Sequence, residues 1–190
     1  MKSFDLKGTS RTEVGKKSTN ELRKNNGIPC VLYGIEKEAQ AFAVTTDAVR
    51  KLVYTPDIHL VNLTIDGKEC TAILKDIQFY PVKDTILHRD FLQVVADKPI
   101  VMEVPTVLNG LAAGVKLGGK LQQAIRKIKV KALYANIPEK LTVDVTELGL
   151  GKSIKVGDLS FENLELVTPA QTVVCSVAAT RASREAAQGK

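Results

Sequence analysis

Apolar and polar side chains alternate with a period of two along most of the chain, and that rhythm predicts strands rather than long helices. Ser3 to Thr9 alternates first, followed by Cys30 to Gly34 and Gln40 to Thr45. A polar loop, Ser10 to Lys17, separates the first two. After it, Ser18-Thr19-Asn20-Glu21 has the spacing of a capping box, in which Ser18 caps a short helix and Glu21 reaches back to its amide. That helix should stop at Asn26-Gly27, with Pro29 beyond it. Thr46-Asp47 fits the cap of another short helix that ends near Tyr54.

Asp66-Gly67 is a two-residue turn whose twist matches that of paired strands. Folding about it sets Ile65 opposite Lys68, Leu63 opposite Cys70, Val61 opposite Ala72 and His59 opposite Leu74, with one face mainly apolar. A further strand begins near Leu87, after the Pro81-Val82-Lys83-Asp84 turn. Strands outnumber helices, so this half should be a small antiparallel barrel or curled sheet. The character changes around Asp97-Lys98-Pro99. Strands are expected at Ile100–Leu108, Arg126–Tyr134, Leu141–Val145 and Thr172–Ala179, separated by glycine-rich turns. The expected organisation is one unit over 1–96, a second, separate β unit over 97–180, and a polar tail over 181–190.

Three polar residues break the apolar rhythm in the first half: Gln78, His88 and Asp90. Period-two geometry puts His88 and Asp90 on one face, with Arg89 and Phe91 on the other. Such a row serves either acid–base chemistry or the reading of base edges. Chemistry is disfavoured, because i, i+2 side chains on a regular strand diverge and no nucleophile with an orienting partner is evident. His88-Arg89-Asp90 also spells the kinase catalytic triplet, but no magnesium-binding Asn and no Asp-Phe-Gly follow it. Gly114 to Leu121 has P-loop spacing, yet Leu121 stands where Ser or Thr must hold magnesium. In Gly149-Leu150-Gly151-Lys152-Ser153 the first glycine is replaced by Thr146. Glycine-rich β turns account for both. No enzyme, cofactor or metal site is expected.

Charge favours an anionic partner. The formal net charge is +6, and the first 24 residues hold seven Lys or Arg against three acids. Arg11, Lys16, Lys17, Arg23 and Lys24 straddle a loop and a helix start, where phosphates are commonly held. A second run, Lys116 to Lys131, has six basic residues and no acid. Within it Lys127, Lys129 and Lys131 alternate with Ile128, Val130 and Ala132, which suits the wet face of a half-buried strand or a face that touches RNA. Cys30, Cys70 and Cys175 are widely spaced, so they suggest small buried apolar residues rather than disulfides or zinc ligands. No apolar run reaches membrane-spanning length and Met1 to Asp5 lacks a secretion-signal core, so a soluble cytoplasmic protein without membrane or small-molecule partner is expected.

Taken together, these stretches resemble the bacterial large-subunit ribosomal protein 25 family in its long form, also called the general stress protein CTC type. Arg11, Gly15-Lys16, Leu22-Arg23, Gly27, Pro29, Tyr33-Gly34, Asp66-Gly67-Lys68, Asp76-Ile77-Gln78, Pro81-Val82-Lys83 and His88-x-Asp90-Phe91 carry it in the first half. Val104-Pro105-Thr106-Val107, Gly114 to Leu121, Ile137-Pro138, Val143-Asp144-Val145 and Gly157-Asp158-Leu159 carry it in the second. The resemblance implies a six-stranded N-terminal barrel that binds 5S ribosomal RNA at an irregular loop with a widened minor groove, within the large ribosomal subunit. It implies RNA contacts from Arg11, Lys16, Thr19, Asn20, Arg23, Tyr33, Gln78, His88 and Asp90. Asn20 and Glu21 depart from the family, whose members usually carry basic residues there, and Glu21 is expected to turn back onto the helix amide. The other reading is a stress-associated, non-catalytic interaction protein that docks a protein partner through the second unit.

Overall fold

The computed structural model describes residues 2–34, 39–55 and 57–181, which include Arg181 of the expected tail but not 182–190. The chain divides after Lys98 into two compact units.

In the first unit, strands β1 (Lys2–Ser10), β2 (Gly27–Tyr33), β3 (Gln40–Thr45), β4 (His59–Ile65), β5 (Lys68–Phe79) and β6 (Ile86–Gln93) close into a barrel in the order β1-β3-β2-β6-β5-β4. The expected six-stranded barrel is therefore present. It is antiparallel along most seams, but β1–β4 and β2–β6 run parallel. Each parallel pair joins strands far apart in the chain, because parallel neighbours need a long crossover. Leu6, Ile28, Leu32, Phe42, Val61, Leu63 and Phe91 fill the interior, and closure removes the free edges a small open sheet would expose. Helix α2 (Thr46–Val53) adds Val49 and Leu52 to the same core.

The β4–β5 hairpin has the expected register from Leu60↔Ile73 to Ile65↔Lys68. Asp66 and Gly67 carry φ of 48° and 85°, the doubly left-handed pair that an Asp-Gly turn accommodates.

Helix α1 (Lys16–Lys24) starts earlier than the sequence suggested, and the Ser18–Glu21 capping box does not form. Arg11 instead gathers the loop and the first turn. Arg11 Nη2 donates to the Glu13 carbonyl, Ser18 Oγ and Thr19 Oγ1 at 3.2–3.3 Å, and Ser18 Oγ donates to Glu13 O. Ser18 thus ties down the loop and lies inside the helix. The helix ends as expected, with Asn26 in the left-handed region at φ 57°. The Asn26 carbonyl accepts the Thr46 amide and hydroxyl, both at 2.9 Å, joining the end of α1 to the start of α2.

The second unit has two sheets. Strands β7 (Ile100–Asn109), β9 (Lys127–Ala132), β10 (Leu141–Asp144) and β12 (Glu165–Leu166) form one in the order β10-β7-β9-β12. Strands β8 (Lys120–Gln123), β11 (Ser153–Lys155) and β13 (Val173–Ala178) form the other in the order β11-β13-β8. Ile128, Val130, Leu141, Val143, Val174 and Val177 point into its core. The P-loop-like stretch is a packing feature. It contains α3, only Ala113–Lys116, and a Cβ on Gly114 would lie 2.7 Å from backbone atoms of Gly149 and Leu150. The lysine stripe is the outer face of β9. Ile128, Val130 and Ala132 are buried beneath it, while Lys129 reaches Glu103 at 3.8 Å and Lys131 reaches Glu165 at 2.9 Å.

Candidate nucleic-acid interface

The β5–β6 ladder is interrupted twice. Its register runs Leu74↔Phe91, then Asp76↔Asp90, Ile77↔Arg89 and Gln78↔His88, then Phe79↔Ile86. Lys75 on β5 and Leu87 on β6 are therefore the extra residues of two bulges that bracket a segment of three rungs. Bulges raise local twist and re-aim side chains. On the outer face of the bracketed segment stand Asp76 and Gln78 from β5, with His88 and Asp90 from β6. Ile77 and Arg89 face inward.

His88 Nδ1 lies 2.8 Å from Asp90 Oδ1, so the two side chains converge where a regular strand would splay them. The adjoining bulge supplies the twist that brings them together. A carboxylate only accepts hydrogen bonds, so Nδ1 carries the proton in the neutral ring and Nε2 is left as an acceptor. The pair is half-buried and its orientation is fixed. It presents a ring nitrogen and a carboxylate oxygen beside the amide of Gln78, a set that suits ribose 2′-hydroxyls and base edges in a shallow RNA minor groove.

Strand β2 continues this surface. It pairs parallel to β6 with Val31↔Asp90 and Tyr33↔Leu92, which sets Tyr33 one step along from Asp90 on the outer side. Partial burial first, then the nearby Asp90 and Asp76 carboxylates, raise the Tyr33 phenol above its ordinary value. The phenol therefore keeps its proton at neutral pH and is available as a donor. Asp76 stands in the sequence reading only within the family-like Asp76-Ile77-Gln78 stretch and not as a contact, although it shares the i, i+2 alternation with Gln78. It stands directly across from Asp90 and adds to the acidity that holds this proton.

Helix α1 is fastened beside the same strands. Arg23 Nη2 and Nε donate to the Leu87 carbonyl at 2.8 and 3.3 Å. Arg23 is thus partly a structural clamp on the bulged residue. Lys16 and Asn20 are exposed, and at about 100° per residue they lie on the helix flank next to Arg23. Glu21 is also exposed, and lies about 160° around the helix from Arg23. The expected turn of Glu21 onto an amide is replaced by a simple outward placement. Arg11 and Thr19 meet in the loop clamp that starts the helix. The nine residues expected from sequence therefore fall into three connected groups: Tyr33, Gln78, His88 and Asp90 on the sheet; Lys16, Asn20 and Arg23 on the helix; Arg11 and Thr19 at the helix start.

Beneath the surface lies a feature the sequence reading placed but did not weigh. Arg89 is fully buried, and its guanidinium has no hydrogen-bond partner among the described residues. Desolvation lowers its pKa to about 10. Its neighbour on the seam, Cys30, is pushed up to about 12, first by burial; Arg89 opposes that shift, Asp90 adds to it, and Arg11 opposes it.

Comparison with known proteins gives the chain's family. The family model described as ribosomal L25p family matches residues 6–91 and the one described as ribosomal protein TL5, C-terminal domain, matches residues 99–181. The large ribosomal subunit protein bL25 of Phocaeicola vulgatus is 62% identical over 193 residues, covering 98% of each chain. Its counterpart in Bacteroides thetaiotaomicron is 60% identical, covering 98% of this chain and 97% of that one. In Porphyromonas gingivalis the identity is 56%, with 100% of both chains covered. With both domain models in sequence and such identity along its whole length, the chain belongs to the bacterial ribosomal L25p family in its long, two-domain form.

Proposed function

We propose that this chain, by family a structural and non-enzymatic component of the large ribosomal subunit, holds 5S ribosomal RNA through the outer face of β5, β6 and β2 together with α1. The target is an irregular loop whose minor groove is widened. The observation that carries this is the His88–Asp90 pair, locked at 2.8 Å beside Gln78 between two bulges. Fixed donors and acceptors on a sheet suit a wide, shallow groove that is recognised by shape and a few polar contacts. Tyr33 contributes a donor, while Lys16, Arg11 and Arg23 supply charge to phosphates and set the register. The work takes place in the cytoplasm, where bacterial ribosomes assemble and translate.

The other reading, docking of a protein through the second unit, drew on the presence of that extra unit and on its basic run 116–131. Two lysines of that run are paired with Glu103 and Glu165 on the unit's own surface, which weakens its motive.

Filter binding of the purified chain to 5S ribosomal RNA, with a scrambled-loop RNA as control, tests the proposal. Native RNA should bind more tightly, and His88→Ala should reduce the preference by about 1–3 kcal/mol. Equal affinity for both RNAs would refute the assignment.

A further inference from the structure

We propose that Asp76 is a further specificity-determining residue of the interface, and that its outward carboxylate oxygen accepts a hydrogen bond from the N2 amino group of a guanine in the RNA minor groove. Resting on the RNA-binding reading above, this role falls to a residue outside the expected contact set. Asp76 is exposed on the outer face of β5, opposite Asp90 of β6 on one rung and two residues before Gln78 on the same face.

The two oxygens of this side chain have different surroundings. Oδ1 accepts the Ile77 amide at 2.8 Å, beside the bulge at Lys75, and that bond fixes the orientation of the carboxylate. Oδ2 has no hydrogen-bond or ion-pair partner among the described residues. Across the rung, Asp90 is engaged through its Oδ1 with His88 Nδ1 at 2.8 Å. Like charges directly opposite each other on a sheet are destabilising. An asparagine would serve the bulge equally well without that repulsion, so the charge of Asp76 points to a use outside the fold.

Chemistry narrows the ligand. A carboxylate repels phosphate and only accepts hydrogen bonds, so on an RNA-binding face it must meet a donor. The donors in a shallow RNA minor groove are the ribose 2′-hydroxyls and, among base edges, the guanine N2 amino group; an A–U pair offers only acceptors there. Hydroxyls recur at every nucleotide, and a neutral oxygen accepts from them as well. A bond from the amino group to a carboxylate is charge-assisted, and a base without that group leaves the carboxylate unmatched. The neighbouring donor is Tyr33. After burial, Asp90 and then Asp76 raise its phenol above the ordinary value, which sets both carboxylates close to that ring. Acceptors and donor thus share one patch, with Gln78 able to act as either.

The test uses the full chain and 5S ribosomal RNA in three forms: native, with inosine for guanosine throughout the irregular loop, and with 2′-deoxyguanosine there. Inosine differs from guanosine in lacking the N2 amino group. Asp76→Asn keeps an oxygen for the Ile77 amide and turns Oδ2 into a donor; unchanged thermal melts establish that it folds. Because it also removes a negative charge, a carboxylate that merely stood near phosphate would make this variant bind more tightly. With a guanine amino group at Oδ2 the sign is opposite, and binding to native RNA should weaken about ten- to a hundredfold. That loss should disappear on inosine RNA and persist on the deoxy form. If Asp76→Asn binds native RNA as tightly as wild type does or more tightly, while His88→Ala binds weakly, the assignment is overturned and the RNA-binding reading stands. A loss that is the same on inosine RNA, or that vanishes on the deoxy form instead, overturns it too. Wild type gives a second measure free of any variant: equal affinity for the native and inosine RNAs also overturns the assignment. If wild type shows no preference for native over scrambled-loop RNA, both readings fall.

Discussion

Arg89 and Cys30 are cross-strand partners on the parallel β2–β6 seam, both inside the barrel, and the guanidinium has no hydrogen-bond partner among the described residues. A buried charge without a hydrogen-bonded partner is costly, and replacing one by an apolar side chain of similar volume is often stabilising. Arg89→Met should therefore raise stability by about 1–4 kcal/mol, read as a higher urea midpoint at unchanged m. The gain should shrink with alkali. The folded pKa, near 10, lies below that of the unfolded chain, so between the two the unfolded chain binds more protons and wild type recovers stability as pH rises. A variant less stable than wild type at pH 7 would show that the guanidinium is well satisfied.

The thiols should differ in reactivity. Burial is the main cause holding the Cys30 pKa near 12, and burial also raises that of Cys175, whereas Cys70 is only half-buried. The thiolate is the nucleophile, so alkylation of the native protein at pH 8 should mark Cys70 first and spare the other two. Mass spectrometry of a timed iodoacetamide reaction reads the order directly. Early labelling of Cys30 would mean that the barrel opens readily. The sign for stability follows: the raised folded pKa of Cys30 contributes stability that is complete below about pH 9 and is lost as pH climbs towards 12.

Two cations on α1 should respond differently. Arg23 clamps the helix to Leu87, while Lys16 stands in solvent. Lysine cannot reproduce the forked donation of arginine. Arg23→Lys should therefore speed amide exchange across α1 about five- to a hundredfold and weaken RNA binding, although the charge is kept. Lys16→Ala should leave α1 exchange unchanged and reduce the slope of log affinity against log salt by about 0.7–0.9. Identical exchange in wild type and Arg23→Lys would remove the clamp from the account.

What the sequence disclosed, and what it withheld, divides along the range of the interactions. The Asp66-Gly67 hairpin was legible because a two-residue turn fixes its own register through local twist. The shared outer face of His88 and Asp90 was legible because strand periodicity is local too. The convergence of that pair was not. It depends on bulges at Lys75 and Leu87, which carry neither glycine nor any other local mark. The capping box failed for a similar reason: Ser18 has the right spacing, but the Arg11 side chain, seven residues away, claims its hydroxyl. Alternation placed Arg89 on the face opposite His88 and Asp90, but did not reveal that this face is the barrel interior or that a guanidinium would be sealed there without a hydrogen bond among the described residues.

Asn20 and Glu21, neighbours in sequence on different flanks of α1, give the sharpest test of how that helix would face RNA. Asn20 lies on the flank next to Arg23 and Lys16, whereas Glu21 lies about 160° from Arg23. A cation introduced at the first position would meet phosphate. One introduced at the second would stay in solvent, screened over roughly 8–10 Å at ordinary salt. Asn20→Lys should accordingly tighten binding and steepen the salt dependence by about 0.7–0.9. Glu21→Lys makes the larger change in charge, yet should leave that slope nearly unaltered. Paired salt titrations of the two variants against 5S ribosomal RNA decide the matter. If the steeper slope belongs to Glu21→Lys, the helix presents its other flank, and the contacts assigned to Lys16 and Asn20 must be moved to Lys17 and Lys24.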